Sequence, residues 1–234
     1  PTGRLLDEAG VDIVLVGDSL GMVVLGFPDT THVTLDHMLH HVEATARGVK
    51  NALLVGDMPI HSYDTVEQAV QSAKKLFLAG ADAVKLEGGA AQAGNIRAIV
   101  EAGIPVVGHI GLLPQKVLEE GGYKIKGKSS AEEEALVRDV EAVAEAGACA
   151  VVVEGVTPHA ARQVTVHSSI PTLGIGSGSH TCDGDVVVIH DLVGAFPWFI
   201  PAFVKPRADV AGSMTAAVKE WMEDCYTEPG SISS

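Results

Sequence analysis

Four times along this chain an Ala-Gly dipeptide runs straight into a stretch of apolar residues, and this junction restricts the fold more than any other feature. Glu8-Ala9-Gly10 leads into Val11–Val16, Leu78-Ala79-Gly80 into Ala81–Leu86, Glu101-Ala102-Gly103 into Ile104–Gly108, and Glu145-Ala146-Gly147 into Ala148–Val153. Alanine is a good last-turn helix former, and glycine accepts the left-handed conformation that ends a helix. The stretches that follow are almost continuously apolar, as parallel strands buried on both faces must be. Ala52–Val55, Ile170–Ile175 and a weaker stretch near Phe203-Val204 bring the readable strands to seven. Between them, Asp64-Thr-Val-Glu67 reads as a capping-box start, and Val66, Ala69, Val70, Ala73, Leu76 and Phe77 keep a helical rhythm until Gly80. Ser130-Ala-Glu-Glu133 opens another helix, and Thr157-Pro158 a third with proline at its first position.

Alternation of this kind means an α/β protein with a parallel sheet. The placement of ionisable residues decides between an open and a closed sheet. A dinucleotide-binding open sheet needs GxGxxG after its first strand, and Gly17-Asp18-Ser19-Leu20-Gly21 does not supply it. Strand after strand instead ends in such a group: Asp18, Asp57, Glu87, His109 and Glu154. A (β/α)₈ TIM barrel gathers its C-terminal strand ends around one mouth, whereas an open sheet spreads them. The expected fold is therefore that barrel, with seven strands readable and its first N-terminal strand expected upstream of Pro1. No Pro-rich or Ser/Gly-rich linker divides the chain, so residues 1–226 read as a single catalytic domain and 227–234 as a polar, disordered tail.

Composition removes several classes of function. Sixteen Lys+Arg against thirty Asp+Glu give a net charge of −14, which repels phosphate backbones and makes nucleic acid an unexpected partner. No apolar stretch reaches the roughly 18 residues of a membrane span. The three cysteines, Cys149, Cys182 and Cys225, show no CxxC spacing, which fits a reducing, cytoplasmic compartment. Cys149, just before a buried strand, is expected in the core.

Asp18 and Asp57, at neighbouring strand ends, are a pair able to hold Mg²⁺, which takes one or two carboxylates and keeps its other positions for water and substrate oxygens. Each alone reads as readily as the cap of the following helix. With Glu87 and Glu154 at the same mouth the metal reading gains, because crowded carboxylates repel one another unless a cation or proton intervenes. Lys85 points to the same side of its strand as Glu87, either as a structural ion pair or as the cation that holds an anionic substrate. His109 is a hydrogen-bond donor to substrate or a satisfied core histidine. Glu154, closing Val151–Val153, is a general base or a helix-entry carboxylate. Gly174–Gly178 is a weak phosphate loop at best, since it lacks a Walker lysine. Gly121–Lys128, with Lys124, Lys126 and Lys128 around Tyr123, reads as a mobile lid or as a solvated connection. His37 and His41 stand four apart without the acid of an HExxH zinc site.

Together these segments resemble one family. Val16-Gly-Asp-Ser-Leu-Gly-Met22, Gly56-Asp-Met-Pro59, Val84-Lys-Leu-Glu-Gly-Gly89, Gly108-His-Ile-Gly-Leu112, Pro114-Gln115, Gly121–Gly127, Val153-Glu154, Gly174–Gly178 and Asp183-Gly184 are similar to segments of the ketopantoate hydroxymethyltransferase family, in the same order, over about Pro1 to Val210. The resemblance implies a (β/α)₈ enzyme of pantothenate biosynthesis. Such an enzyme transfers a hydroxymethyl group from 5,10-methylenetetrahydrofolate to 3-methyl-2-oxobutanoate and yields 2-dehydropantoate. It further implies Asp18 and Asp57 as Mg²⁺ ligands, Glu87 supporting the ion through a water, Ser19 and Lys85 on the substrate carboxylate, His109 positioning the oxo acid, and Glu154 as the base. A cytoplasmic homo-oligomer, often a decamer, is implied too. Gly155 stands where a larger residue is common in the family, and Ser177 where alanine is. Two alternatives stay open: another Mg²⁺-dependent 2-oxo acid lyase or mutase of the phosphoenolpyruvate mutase/isocitrate lyase type, and a catalytically inactive barrel subunit.

Overall fold

In the computed structural model, which describes residues 1–227, seven strands lie parallel in one sheet and in strict sequence order. They are β1 (Ile13–Val16), β2 (Leu53–Asp57), β3 (Ala83–Lys85), β4 (Val106–Gly111), β5 (Ala150–Glu154), β6 (Thr172–Ile175) and β7 (Gly184–Asp185). A doubly wound sheet reverses its strand order partway, so unbroken sequential order belongs to a sheet that curls in one direction, as barrels do. Helices Thr2–Ala9, Val66–Leu78, Ala93–Glu101 and Ser130–Glu145 end at the four Ala-Gly junctions, and those glycines all have positive φ, from 83° at Gly10 to 108° at Gly80. Thr65 caps Val66–Leu78, Thr157 caps Pro158–His167, and Ser129, one residue ahead of the expected start, caps Ser130–Glu145.

Two readings need correction. Phe203-Val204 is not a strand: between Pro201 and Pro206 the chain turns, and the Val204 amide donates to the Pro201 carbonyl. The seventh strand is Gly184–Asp185, only two residues long and too polar to stand out as an apolar stretch. Its approach is fixed by Asp183, whose carboxylate accepts from the amide (2.9 Å) and hydroxyl (3.0 Å) of Thr172. Cys149 is exposed rather than in the core, its thiol turned to the Val106 carbonyl at 3.2 Å.

The sheet has two unlike faces, set by the period-two alternation of strand side chains. Val14, Val16, Leu54, Val84, Val106, Val151 and Val153 pack against helix residues such as Met38, Leu76, Ile99 and Val143 in the main core. Val55, Ala83, Val107, Ala150 and Val152 form a separate inner cluster with Ile13, Leu15, Leu173 and Ile175. The pairing Asp57↔Lys85↔Val107↔Ala150 shows the register climbing from strand to strand, the stagger a curling sheet requires.

The chain divides into two compact units, Pro1–Val186 and Val187–Ser234. All seven strands and every candidate site residue belong to the first. The second contains helices Ile189–Leu192 and Val210–Thr227, joined where the Arg207 and Val210 amides donate to the carbonyls of Leu192 (2.7 Å) and Val193 (3.1 Å). Thr227, expected to open the tail, is the last residue of the long helix, and 228–234 lie outside the described residues.

One carboxylate ties the first helix to the sheet. Asp7 accepts the amides of Asn51 and Ala52, each at 2.8 Å, and the Asn51 carboxamide at 3.0 Å. The Ala52 amide first, then that of Asn51, hold its carboxyl down to about 2 from the ordinary 3.8. A depressed folded-state pKa contributes stability above the unfolded value and loses it as pH falls through the folded one. Asp7→Ala is therefore expected to lower the melting temperature at pH 7 by roughly a few degrees. Calorimetry should show the gap to the unmutated chain closing between pH 3.8 and about 2.

Candidate active site

The inner cluster predicts where the chemistry falls. Two residues beyond Val55, Ala83, Val107 and Val152 on the same face stand Asp57, Lys85, His109 and Glu154, and two beyond Lys85 stands Glu87. Asp57, Lys85, Glu87 and His109 are buried, as is Asp18 in the turn after β1. The Glu154 side chain, 22% exposed, is the one carboxylate of this group that opens toward solvent.

Lys85 is the hub of the cluster. Its ammonium lies 3.0 Å from Asp57 Oδ1 and 3.1 Å from His109 Nδ1. Burial pulls its pKa down, but Asp57, Glu87 and Asp18 together lift it above the ordinary lysine range, so it is charged. An ammonium only donates, so His109 Nδ1 is the acceptor and the ring proton sits on Nε2. Burial, then the charge of Lys85, lowers the His109 pKa and keeps the ring neutral. Nε2 lies 3.1 Å from Glu154 Oε2 without the alignment of a hydrogen bond, so a neutral N–H donor is presented at the mouth.

The carboxylates outnumber the single ammonium. Asp18 is raised to about 7 by burial, then by the charge of Asp57, and Glu87 is raised mainly by burial. The Asp18 amide donates to Asp57 Oδ2 at 3.1 Å. Asp57 Oδ1, despite its ion pair, and Glu87 Oε1 are buried without a hydrogen bond. Unsatisfied acceptors in an acidic cluster are what a bound cation corrects. Among the described residues no three His, Cys, Asp or Glu are placed to hold one ion by themselves. A pair of aspartates is a donor set Mg²⁺ accepts, its other positions being left to water and substrate oxygens.

The other predicted positions sort by geometry. Ser19 stands half-buried at the start of helix Leu20–Val23, beside Gly17, and its side chain makes no capping bond. His37 closes a capping box with Thr34, its ring accepting the Thr34 amide at 3.2 Å. Ser177 is buried, donating to the Val153 carbonyl at 2.7 Å beneath Glu154. Gly155, at φ 55°, lies so close to Leu112 that an added Cβ would fall 2.8 Å from that side chain. Lys126 of the basic loop pairs with Val156, fixing the loop's far end to the rim, and the Tyr123 hydroxyl reaches Met22 Sδ at 3.9 Å.

Two residues escaped the sequence reading of the site. Gln115, in the turn that Pro114 opens after β4, donates from Nε2 to Asp18 Oδ2 at 2.8 Å and from its amide to Glu87 Oε2 at 3.1 Å. Tyr63, in the loop after β2, donates to Gln115 Oε1. Gln115 lies four residues beyond the end of β4 and Tyr63 six beyond β2, too far for the strand-end signal that marked Asp18 to reach them.

A sequentially ordered parallel sheet with its chemistry at the carboxyl strand ends defines a barrel-like α/β enzyme. Solved structures share this fold: 2,3-dimethylmalate lyase, a PEP mutase/isocitrate lyase superfamily member, has a TM-score of 0.62 at 18% identity, over 99% of this chain and 81% of that one. Phosphonopyruvate hydrolase in complex with oxalate and Mg²⁺ has a TM-score of 0.63 at 14% identity, over 97% and 91%. Sequence narrows the class to one family. The family described as ketopantoate hydroxymethyltransferase matches residues 1–229. Proteins named 3-methyl-2-oxobutanoate hydroxymethyltransferase from Ignicoccus hospitalis and Hyperthermus butylicus are 49% and 51% identical, covering 96% and 95% of this chain and 85% and 77% of theirs. The chain belongs to the ketopantoate hydroxymethyltransferase family.

Proposed function

We propose that this protein transfers a hydroxymethyl group from 5,10-methylenetetrahydrofolate to 3-methyl-2-oxobutanoate, giving 2-dehydropantoate for pantothenate biosynthesis. The observation that carries the reading is the convergence of Asp18, Asp57, Lys85, Glu87, His109 and Glu154 at one end of the sheet, in a chain of this family. Asp18 and Asp57 would hold Mg²⁺ directly and Glu87 through a water. The unsatisfied oxygens of Asp57 and Glu87, and the excess of carboxylates over ammonium, fit that ion. When bound, Mg²⁺ supplies Lewis acidity to the 2-oxo group and lowers the cost of the negative charge that grows as a C3 proton leaves.

The chain's own groups do the rest. Glu154, the carboxylate open to the mouth, takes the proton from C3. His109 offers its Nε2–H to the oxo acid, and Lys85, anchored on Asp57, faces the substrate carboxylate together with Ser19. The carbon left electron-rich at C3 then bonds to the methylene carbon carried by the folate; both carbon–nitrogen bonds to that carbon break, water supplies the hydroxyl oxygen, and tetrahydrofolate leaves. No covalent enzyme intermediate is required.

Two further parts of this reading rest on family membership and on the sheet. β1 pairs only with β2 and β7 only with β6 among the described residues, so one more strand between those edges would complete a (β/α)₈ barrel. A cytoplasmic homo-oligomer is the assembly that family resemblance implies. The test of function is product formation with purified protein, oxo acid and Mg²⁺. Product should appear only when 5,10-methylenetetrahydrofolate is added, and turnover of the oxo acid without folate would instead favour a lyase or mutase.

A further inference from the structure

The buried carboxylates share a pattern. Asp57 Oδ2 is taken by the Asp18 amide, Asp18 Oδ2 by the Gln115 carboxamide and Glu87 Oε2 by the Gln115 amide. In two of the three the second oxygen, Asp57 Oδ1 or Glu87 Oε1, is buried without a hydrogen bond, Asp57 Oδ1 facing the Lys85 ammonium at 3.0 Å. Gln115 supplies two of these three ties, from a position 3% exposed.

The orientation of its carboxamide is not a free choice. Tyr63, 8% exposed, brings a hydroxyl to Oε1, while Nε2 lies 2.8 Å from Asp18 Oδ2 and 3.1 Å from the Met58 carbonyl. Both amide protons therefore have acceptors, and the oxygen has a donor. Flipped by 180°, the amide would set its oxygen against two acceptors. Tyr63 and Met58 thus lock Gln115, and Gln115 locks one side of Asp18.

From this geometry we infer that Gln115 is a positioning residue for the cation site, oriented by Tyr63, which turns one oxygen of Asp18 and one of Glu87 toward the ion; this rests on the Mg²⁺ reading above. Its carboxamide is engaged by Tyr63, Asp18 and Met58. Removing an outer partner of a metal ligand typically costs about 10–100-fold in metal affinity or activity.

The experiment is calorimetric titration of Mg²⁺ alone into the folded, unmutated chain, Gln115→Met, Tyr63→Phe and the double variant, each checked by circular dichroism. Gln115→Met is expected to weaken Mg²⁺ binding about 10–100-fold, with kcat largely recovered at saturating Mg²⁺. Tyr63→Phe is expected to weaken it less, and the double variant no more than Gln115→Met alone, because groups acting through one another are not additive. A folded Gln115→Met that binds Mg²⁺ like the unmutated chain overturns the inference. Additive losses overturn the role of Tyr63. Should Gln115→Met fail to fold, unchanged affinity in Tyr63→Phe overturns the inference in its place. If the unmutated chain itself binds no Mg²⁺, it is the metal reading that fails.

Discussion

Replacing Glu154 by Gln is expected to lower kcat by roughly 10²–10⁴-fold, the contribution a positioned general base makes. The change keeps the size of the side chain and a hydrogen-bonding oxygen but removes the basic site. Because Glu154 is the partly exposed member of the cluster and forms no part of the Asp18–Asp57 pair, Mg²⁺ affinity should stay within a small factor of the unmutated value. Stability should hardly move, since the side chain fills no core and its one close polar neighbour, His109 Nε2, is imperfectly aligned. Steady-state kinetics with a parallel Mg²⁺ titration checks both. Native turnover in the folded variant would remove Glu154 from the reaction.

Asp57→Asn has a different signature, because Asp57 pairs with Lys85 and, on the proposed reading, also holds the metal. Its side chain is 1% exposed and that of Lys85 5%, so the variant leaves a buried ammonium without its nearest counter-charge. Breaking such a pair from one side costs about 3–5 kcal/mol. The low end is expected here, since Glu87 and Asp18 still face the ammonium. On that reading a direct ligand is lost, so Mg²⁺ affinity should fall by more than the roughly 10–100-fold that follows loss of an outer partner. Adding Lys85→Met should restore much of the stability and none of the Mg²⁺ binding. Wild-type Mg²⁺ affinity in Asp57→Asn would place the ion elsewhere.

Most of the fold and much of the site can be read from residue pattern, for physical reasons. The Ala-Gly junctions are legible because a left-handed C-cap and a doubly buried strand both leave local marks. The site is legible because a buried strand tolerates a charge only at its end, and period-two alternation then sets which charges share a face: Val55 with Asp57, Val107 with His109, Val152 with Glu154. β7 was illegible because two polar residues leave no periodicity, and its position depends on Asp183 reaching back to Thr172. Phe203-Val204 misled because an apolar dipeptide between prolines has strand composition without strand backbone. Gln115 and Tyr63 were missed as site residues because their roles are relational. A neutral amide or phenol shows its importance only when the acceptors around it are placed in space.

The most direct measurement is proton exchange at C3 of 3-methyl-2-oxobutanoate in D₂O, followed by NMR with Mg²⁺ present and folate omitted. It isolates removal of the C3 proton at the strand-end cluster from delivery of the one-carbon unit. The expected result is exchange by the unmutated chain that stops when Mg²⁺ is chelated and falls steeply in Glu154→Gln. Absence of exchange by the folded, Mg²⁺-supplied protein, or equal exchange by Glu154→Gln, would contradict it.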